Sequence, residues 1–134
     1  MQFYSTNHKS PNVSFREALM KGQAPDRGLY MPEKIPKLSI QEILQFKDWT
    51  YAKIAQKVTS LFIDNEIPQD IIEKITIDAY NFDVPIEKVV DKQYILRLDR
   101  GPTSSFKDFA ARMMARLMQY VVDQEQCVGC TACA

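Results

Sequence analysis

Residues able to do chemistry concentrate in one ten-residue stretch, Gly101-Pro102-Thr103-Ser104-Ser105-Phe106-Lys107-Asp108-Phe109-Ala110. Gly101-Pro102 punctuates the end of an apolar run, Tyr94 to Leu98, and helical periodicity follows, so the region reads as strand, tight turn and helix. Ser105 and Asp108 have the Ser-x-x-acid spacing of a capping box, which makes Ser105 the expected N-cap of a helix running to about Gln124. Lys107 then falls in the first turn. Unpaired N–H groups and the positive end of the helix dipole work against a cation there by a few tenths to about 1 kcal/mol. An amine whose charged form is disfavoured is more often neutral, the state a lysine nucleophile needs for imine formation. Local physics leaves a second reading open, in which Lys107 snorkels into solvent and Asp108 offsets its charge.

Other chemistry is scarce. His8 is the single histidine, so a Ser-His-Asp arrangement would rest on one residue in a polar segment, and a multi-histidine metal site is excluded. No metal ligand is assigned, and the many carboxylates are scattered along faces that read as solvated. Cys127, Cys130 and Cys133 all lie in the last eight residues, so no disulfide framework staples the fold. The tail C-V-G-C-T-A-C-A resembles the start of the bacterial ferredoxin motif C-x2-C-x2-C-x3-C-P, short of its fourth cysteine. Three readings stay open for it: a truncated or misassembled gene end giving an inactive product, a fusion to an iron–sulfur electron-transfer module, or inert thiols.

The elements that would position Lys107 follow from the same rules. Phe3 to Thr6 suits a short strand, and Ser14-x-x-Glu17 opens a helix that Gly22 closes. Pro25-Asp26 and Gly28 form a turn before a strand Leu29-Tyr30-Met31 ended by Pro32. Ser39-x-x-Glu42 is another capping box, starting a helix through about Phe46. Tyr51, Ile54, Ala55, Val58, Leu61 and Phe62 recur at helical spacing, and Pro68 suits the first position of a helix carrying Ile71, Ile72, Ile75 and Ala79. Both stripes, with Trp49 and the tyrosines, read as core packing. Asn81 to Val90 is a linker into a strand, and Tyr94 to Leu98 reads as a strand buried on both faces. On the last helix Phe106, Phe109, Ala110, Met113, Leu117 and Val121 share one face, with Arg112, Arg116, Gln119 and Asp123 opposite, so that it can dock on a sheet with its N-terminus at a site.

Bulk properties narrow the function. The chain has 134 residues, enough for one domain core, with 17 basic and 17 acidic residues. No net field draws it to nucleic acid or to a membrane. The N-terminus lacks a basic and an apolar leader region, and no window has the ~18 apolar residues of a membrane span, which points to a cytoplasmic protein.

Two blocks then carry a family resemblance. G-P-T-S-S-F-K-D-F-A-A-R-M-M-A-R-L-M resembles the segment of threonine synthases that holds the lysine binding pyridoxal phosphate (PLP). Ser14-Phe15-Arg16-Glu17-Ala18-Leu19 and Ala24-Pro25-Asp26-Arg27-Gly28-Leu29-Tyr30-Met31-Pro32 resemble the upstream F-x-E-A-L and A-P-D-G-G-L-Y-V-P blocks of that family. Arg27, Met31 and Asn7-His8 depart from it. The likeness runs from residue 1 to about 126, short of the Ser-Gly-Asp-Thr-Gly-like loop and several hundred residues with which the family continues.

The resemblance implies an α/β fold, a threonine synthase N-terminal domain (1–92) followed by the start of a fold-type II PLP-dependent domain (93–126), with 127–134 a tail unlike the family. It implies PLP as cofactor and O-phosphohomoserine as the small-molecule substrate, converted with water to threonine and phosphate. Lys107 would be both the catalytic and the cofactor-binding residue, with Ser105 and Asp108 capping the helix and orienting it. The chain by itself is expected to lack measurable activity, because few of its residues could hold the cofactor's phosphate. Nothing in the sequence fixes the oligomeric state.

Overall fold

Short antiparallel ribbons and five α-helices make up the computed structural model, which describes residues 1–63 and 65–127. β1 (Phe3–Ser5) pairs with β2 (Tyr30–Pro32) in the register Phe3↔Pro32, Tyr4↔Met31 and Ser5↔Tyr30. Pro32 belongs to the strand instead of ending it. On a two-stranded ribbon a residue without an N–H can sit at the edge, where no ladder bond is lost.

The turn between these elements is held by Asp26. Its carboxylate accepts the Ser5 hydroxyl at 2.6 Å and the N–H groups of Lys9 and Gly28 at 2.8 and 3.0 Å. Led by the Ser5 hydrogen bond, these donors hold the Asp26 carboxyl down to about 2. Gly28 is needed here because a Cβ would collide with Ser5 Oγ and lie 2.9 Å from the Asn7 nitrogen.

α1 (Phe15–Lys21) starts and ends where the sequence predicts. The Ser14 side chain accepts the Glu17 N–H, and Gly22, at φ 67°, closes the helix. A second cap arrives from fifty residues away: the Glu66 carboxylate takes the Phe15 and Arg16 N–H groups at 2.9 and 3.0 Å. α2 (Ile40–Gln45) carries the full Ser39/Glu42 capping box and passes into a 3-10 turn, Phe46–Asp48. α3 (Tyr51–Ile63) and α4 (Gln69–Ala79) pack as a pair, with Pro68 at the N-cap, one position before its expected place.

The main core lies between α3, α4 and the last helix, α5 (Lys107–Cys127). Ile63, Ile67, Ile72, Ile75 and Ala79 are buried against Met113 and Leu117, with Phe15 and Leu19 of α1 packed on the cluster. A smaller cluster of Phe3, Val13 and Ala18 sits under the first ribbon. α5 therefore docks on helices α4 and α1, where the sequence suggested a sheet.

The strand expected to be buried on both faces is not buried. β3 (Ile86–Val90) and β4 (Gln93–Leu96) form an antiparallel hairpin whose apolar residues Ile86, Val89, Val90, Tyr94, Ile95 and Leu96 are all exposed, Tyr94 by 60%. A continuous apolar run predicts burial only if partner layers lie on both sides. Among the described residues, β4 pairs with β3 alone.

Candidate functional site

Lys107 is the first residue of α5, two positions after the expected N-cap, and its side chain is exposed. The turn before it begins with the Gly101 carbonyl accepting the Ser104 N–H at 3.0 Å, Pro102 occupying the second position that its fixed φ suits. Ser104 has φ 55°, a left-handed conformation that costs a non-glycine residue about 1 kcal/mol.

The capping box at Ser105 and Asp108 does not form as predicted. The Ser105 hydroxyl accepts the Lys107 N–H at 3.3 Å, and the Asp108 N–H goes to the Ser105 carbonyl at 3.0 Å. The Asp108 carboxylate reaches two residues further back, accepting the Thr103 N–H at 2.9 Å and the Thr103 hydroxyl at 2.8 Å. A tightened first turn, with i to i+3 bonds at Asp108 and Phe109, brings Thr103 within its reach, and the Ser105 N–H is left as a weaker donor. These bonds, the Thr103 N–H foremost, hold the Asp108 carboxyl below the usual range although only 6% of the residue is exposed.

Gly101 closes the arrangement from the other side. A Cβ there would press on Asp108 Oδ2 and lie 2.7 and 2.9 Å from its Cβ and Cγ. The reading in which Lys107 reaches solvent and Asp108 offsets its charge holds in its first half alone: Lys107 is exposed, but the Asp108 carboxylate bonds Thr103 and makes no ion pair with it. Among the described residues, no hydrogen bond or ion pair engages the Lys107 amine.

The next turns of α5 are anchored to α4. Phe109 packs its ring against Tyr51, Tyr80 and Phe82, with centroids 5.6, 6.0 and 5.3 Å apart, and the Tyr80 hydroxyl donates to the Phe109 carbonyl at 3.0 Å. Burial raises the pKa of both Tyr51 and Tyr80. Arg112 and Arg116, placed by the sequence on the face opposite the apolar stripe, are not free. Arg112 caps the end of α4, donating to the Ala79 and Asp78 carbonyls at 2.7 and 2.9 Å and to Asn81 Oδ1 at 2.9 Å, while Arg116 pairs with the Asp78 carboxylate. No local signal announces these residues, since their partners lie more than thirty positions away.

Two clefts flank this cluster. One, of about 380 Å³, is lined by Tyr51, Tyr80, Asn81, Phe82 and Asp83. The other, about 590 Å³, shares Asp83 and Val84 and is completed by Pro85 and Arg100, the residue preceding Gly101. The arrangement thus offers an exposed primary amine at the start of α5, and Lys107 is not among the residues that line these two clefts. Cys127 ends α5, while Cys130 and Cys133, the other thiols of the ferredoxin-like tail, lie outside the described residues.

The family profile described as the threonine synthase N terminus matches residues 2–80. The chain belongs to the threonine synthase N-terminus family. It is 37% identical over 122 residues to threonine synthase of Haemophilus influenzae, covering 90% of this chain and 28% of the relative. Against threonine synthase of Escherichia coli K12 it is 32% identical, covering 98% of this chain and 31% of the relative. The likeness extends to solved structures. PLP-bound threonine synthase from Brucella melitensis superposes with a TM-score of 0.90 at 33% identity, over 94% of this chain and 28% of that one. Yeast threonine synthase does so with a TM-score of 0.86 at 26% identity. The chain thus spans a little under a third of the length of the threonine synthases it matches, and the α/β fold implied by the sequence resemblance holds. No helix among the described residues is long and apolar enough to cross a membrane.

Proposed function

We propose that this chain supplies the N-terminal part of a PLP-dependent threonine synthase, with Lys107 as the residue that carries the cofactor. On this reading residues 1–92 are the family's N-terminal domain and 93–126 the first strand and lysine-bearing helix of the catalytic domain. O-phosphohomoserine with water as substrates, threonine and phosphate as products, and a cytoplasmic location belong to the same proposal.

The observation that carries it is the Lys107 amine: exposed, without an ion pair among the described residues, and set at the start of α5 in a chain that superposes on a PLP-bound relative. The residues present fit the aldehyde end of the cofactor, which needs one accessible primary amine. PLP, when bound, supplies an electron sink for bonds at the carbon bearing the substrate's amine. Lys107 would hold the cofactor covalently and, once displaced by the substrate amine, move protons between substrate carbons. The α4–α5 anchors keep its helix in place during that exchange.

Borohydride reduction of the chain with PLP, followed by peptide mass mapping, tests the cofactor role. Lys107 is expected to be labelled ahead of the other lysines, and uniform labelling would count against it. Activity is tested by joining this chain to the remainder of the Haemophilus influenzae relative in a threonine auxotroph. Growth without threonine that Lys107→Ala abolishes is the expected result; growth retained in that variant would remove Lys107 from the chemistry.

A further inference from the structure

We infer that Asp108 is a positioning residue for Lys107, acting through a latch made with Gly101 and Thr103. The inference rests on the reading of Lys107 as the cofactor lysine and goes beyond it, to what fixes that lysine's direction.

The latch stands on four observations. Asp108 is 6% exposed, and its carboxylate takes both the N–H and the O–H of the upstream Thr103, with the Ser105 N–H a weaker donor beside them. The backbone of Gly101 lies so close that no side chain fits between it and Asp108. Ser104, between the two, is held at φ 55°, a conformation that persists only where its surroundings impose it. The Lys107 N–H is tied to the Ser105 hydroxyl, so the latched turn hands its geometry directly to the first residue of α5.

Two consequences follow for the amine. With both oxygens facing Thr103, Asp108 cannot swing round to pair with its neighbour Lys107, so the acid adjacent in sequence leaves the nucleophile free. The turn and the helix start also move as one piece, and the Lys107 side chain leaves a backbone that does not fray. A cap lost from an ordinary helix end would only loosen the first turn. Here the same loss would change the direction of the lysine and offer it a carboxylate to pair with.

The test opens the latch in three ways in the full 134-residue chain: Gly101→Ala, whose methyl displaces the carboxylate, Asp108→Ala, which removes it, and Thr103→Val, which removes the hydroxyl. Asp108→Asn, keeping the shape and one acceptor, is the conservative comparison. Circular dichroism selects the variants that keep α5. Amide hydrogen exchange at Thr103 reports whether the latch is open, and the share of borohydride-trapped PLP on Lys107 relative to Lys88 and Lys92 reports the direction of the amine.

The expected result is a Lys107 preference in the wild type that falls at least about fivefold in each folded open-latch variant, with faster Thr103 exchange in Gly101→Ala and Asp108→Ala. Asp108→Asn should stay within about twofold of the wild type in both. Faster Thr103 exchange with an unchanged preference would overturn the positioning role and leave the functional reading standing. A lost preference with Thr103 exchange unchanged in Gly101→Ala and Asp108→Ala would also overturn it, because the latch would not be the route. No Lys107 preference in the wild type would overturn the functional reading itself, and this inference with it.

Discussion

Asp26 gathers the Ser5 hydroxyl and the Lys9 N–H from 21 and 17 positions away together with the N–H of nearby Gly28, and its stability contribution depends on the charge it carries. The folded-state pKa of about 2 lies below the ordinary 3.8, so the contribution is complete above about pH 4 and is lost as pH falls toward 2. Asp108, also held low, adds to the same acid loss. Urea midpoints measured between pH 5 and pH 2 should fall for the wild type and fall less steeply for Asp26→Asn; equal slopes would show that Asp26 is not among the groups responsible. At this scale the sequence is half legible. The A-P-D-R-G block marks a turn because of its Pro, Asp and Gly, but the collision with Ser5 that makes Gly28 necessary exists only once β1 and β2 are paired. Likewise the spacing of Ser105 and Asp108 announces a cap, while the choice of Thr103 as partner depends on how the preceding turn folds back.

Capping explains why α1 forms from only seven residues, fewer than an isolated helix needs in water. Ser14 and Glu66 between them satisfy the N–H groups of Phe15, Arg16 and Glu17. Ser14→Ala should cost about 0.5–2 kcal/mol, the usual range for an N-cap. Glu66→Ala removes a carboxylate from two N–H groups at the positive end of the helix and should cost about 1–3 kcal/mol, as charged hydrogen bonds do. Both are measured by denaturant unfolding, and a Glu66→Ala value near zero would mean that Ser14 alone secures the helix start. The first cap is readable as Ser-x-x-Glu; the second is not, because nothing near residue 14 points to residue 66. The β3–β4 hairpin fails in the other direction: its apolar run is legible, and its exposure is not, because burial depends on layers that an apolar pattern implies without supplying.

At the scale of the whole molecule, the residues read as the start of a second domain share a core with the first. Met113 and Leu117 of α5 pack with Ile63, Ile72 and Ile75, and Arg112 and Arg116 bind the end of α4 across more than thirty positions. The amphipathic stripe of α5 was legible in sequence, but its partner was not, since a helix face of Met and Leu packs equally well on a sheet or on other helices. The shared core makes a specific claim about cooperativity. Leu117→Ala should cost about 2–5 kcal/mol, the range for truncating a buried leucine, and Ile72→Ala on α4 should cost about the same. If residues 1–127 unfold as one unit, Leu117→Ala lowers the midpoint seen by fluorescence of Trp49, at the junction of α2 and α3, by as much as the midpoint seen by far-ultraviolet circular dichroism. An independent α5 would shift the dichroism and leave Trp49 unmoved. The double variant adds a second check, because side chains in one cluster couple by about 0.5–3 kcal/mol, and strict additivity would place Leu117 and Ile72 in separate cores.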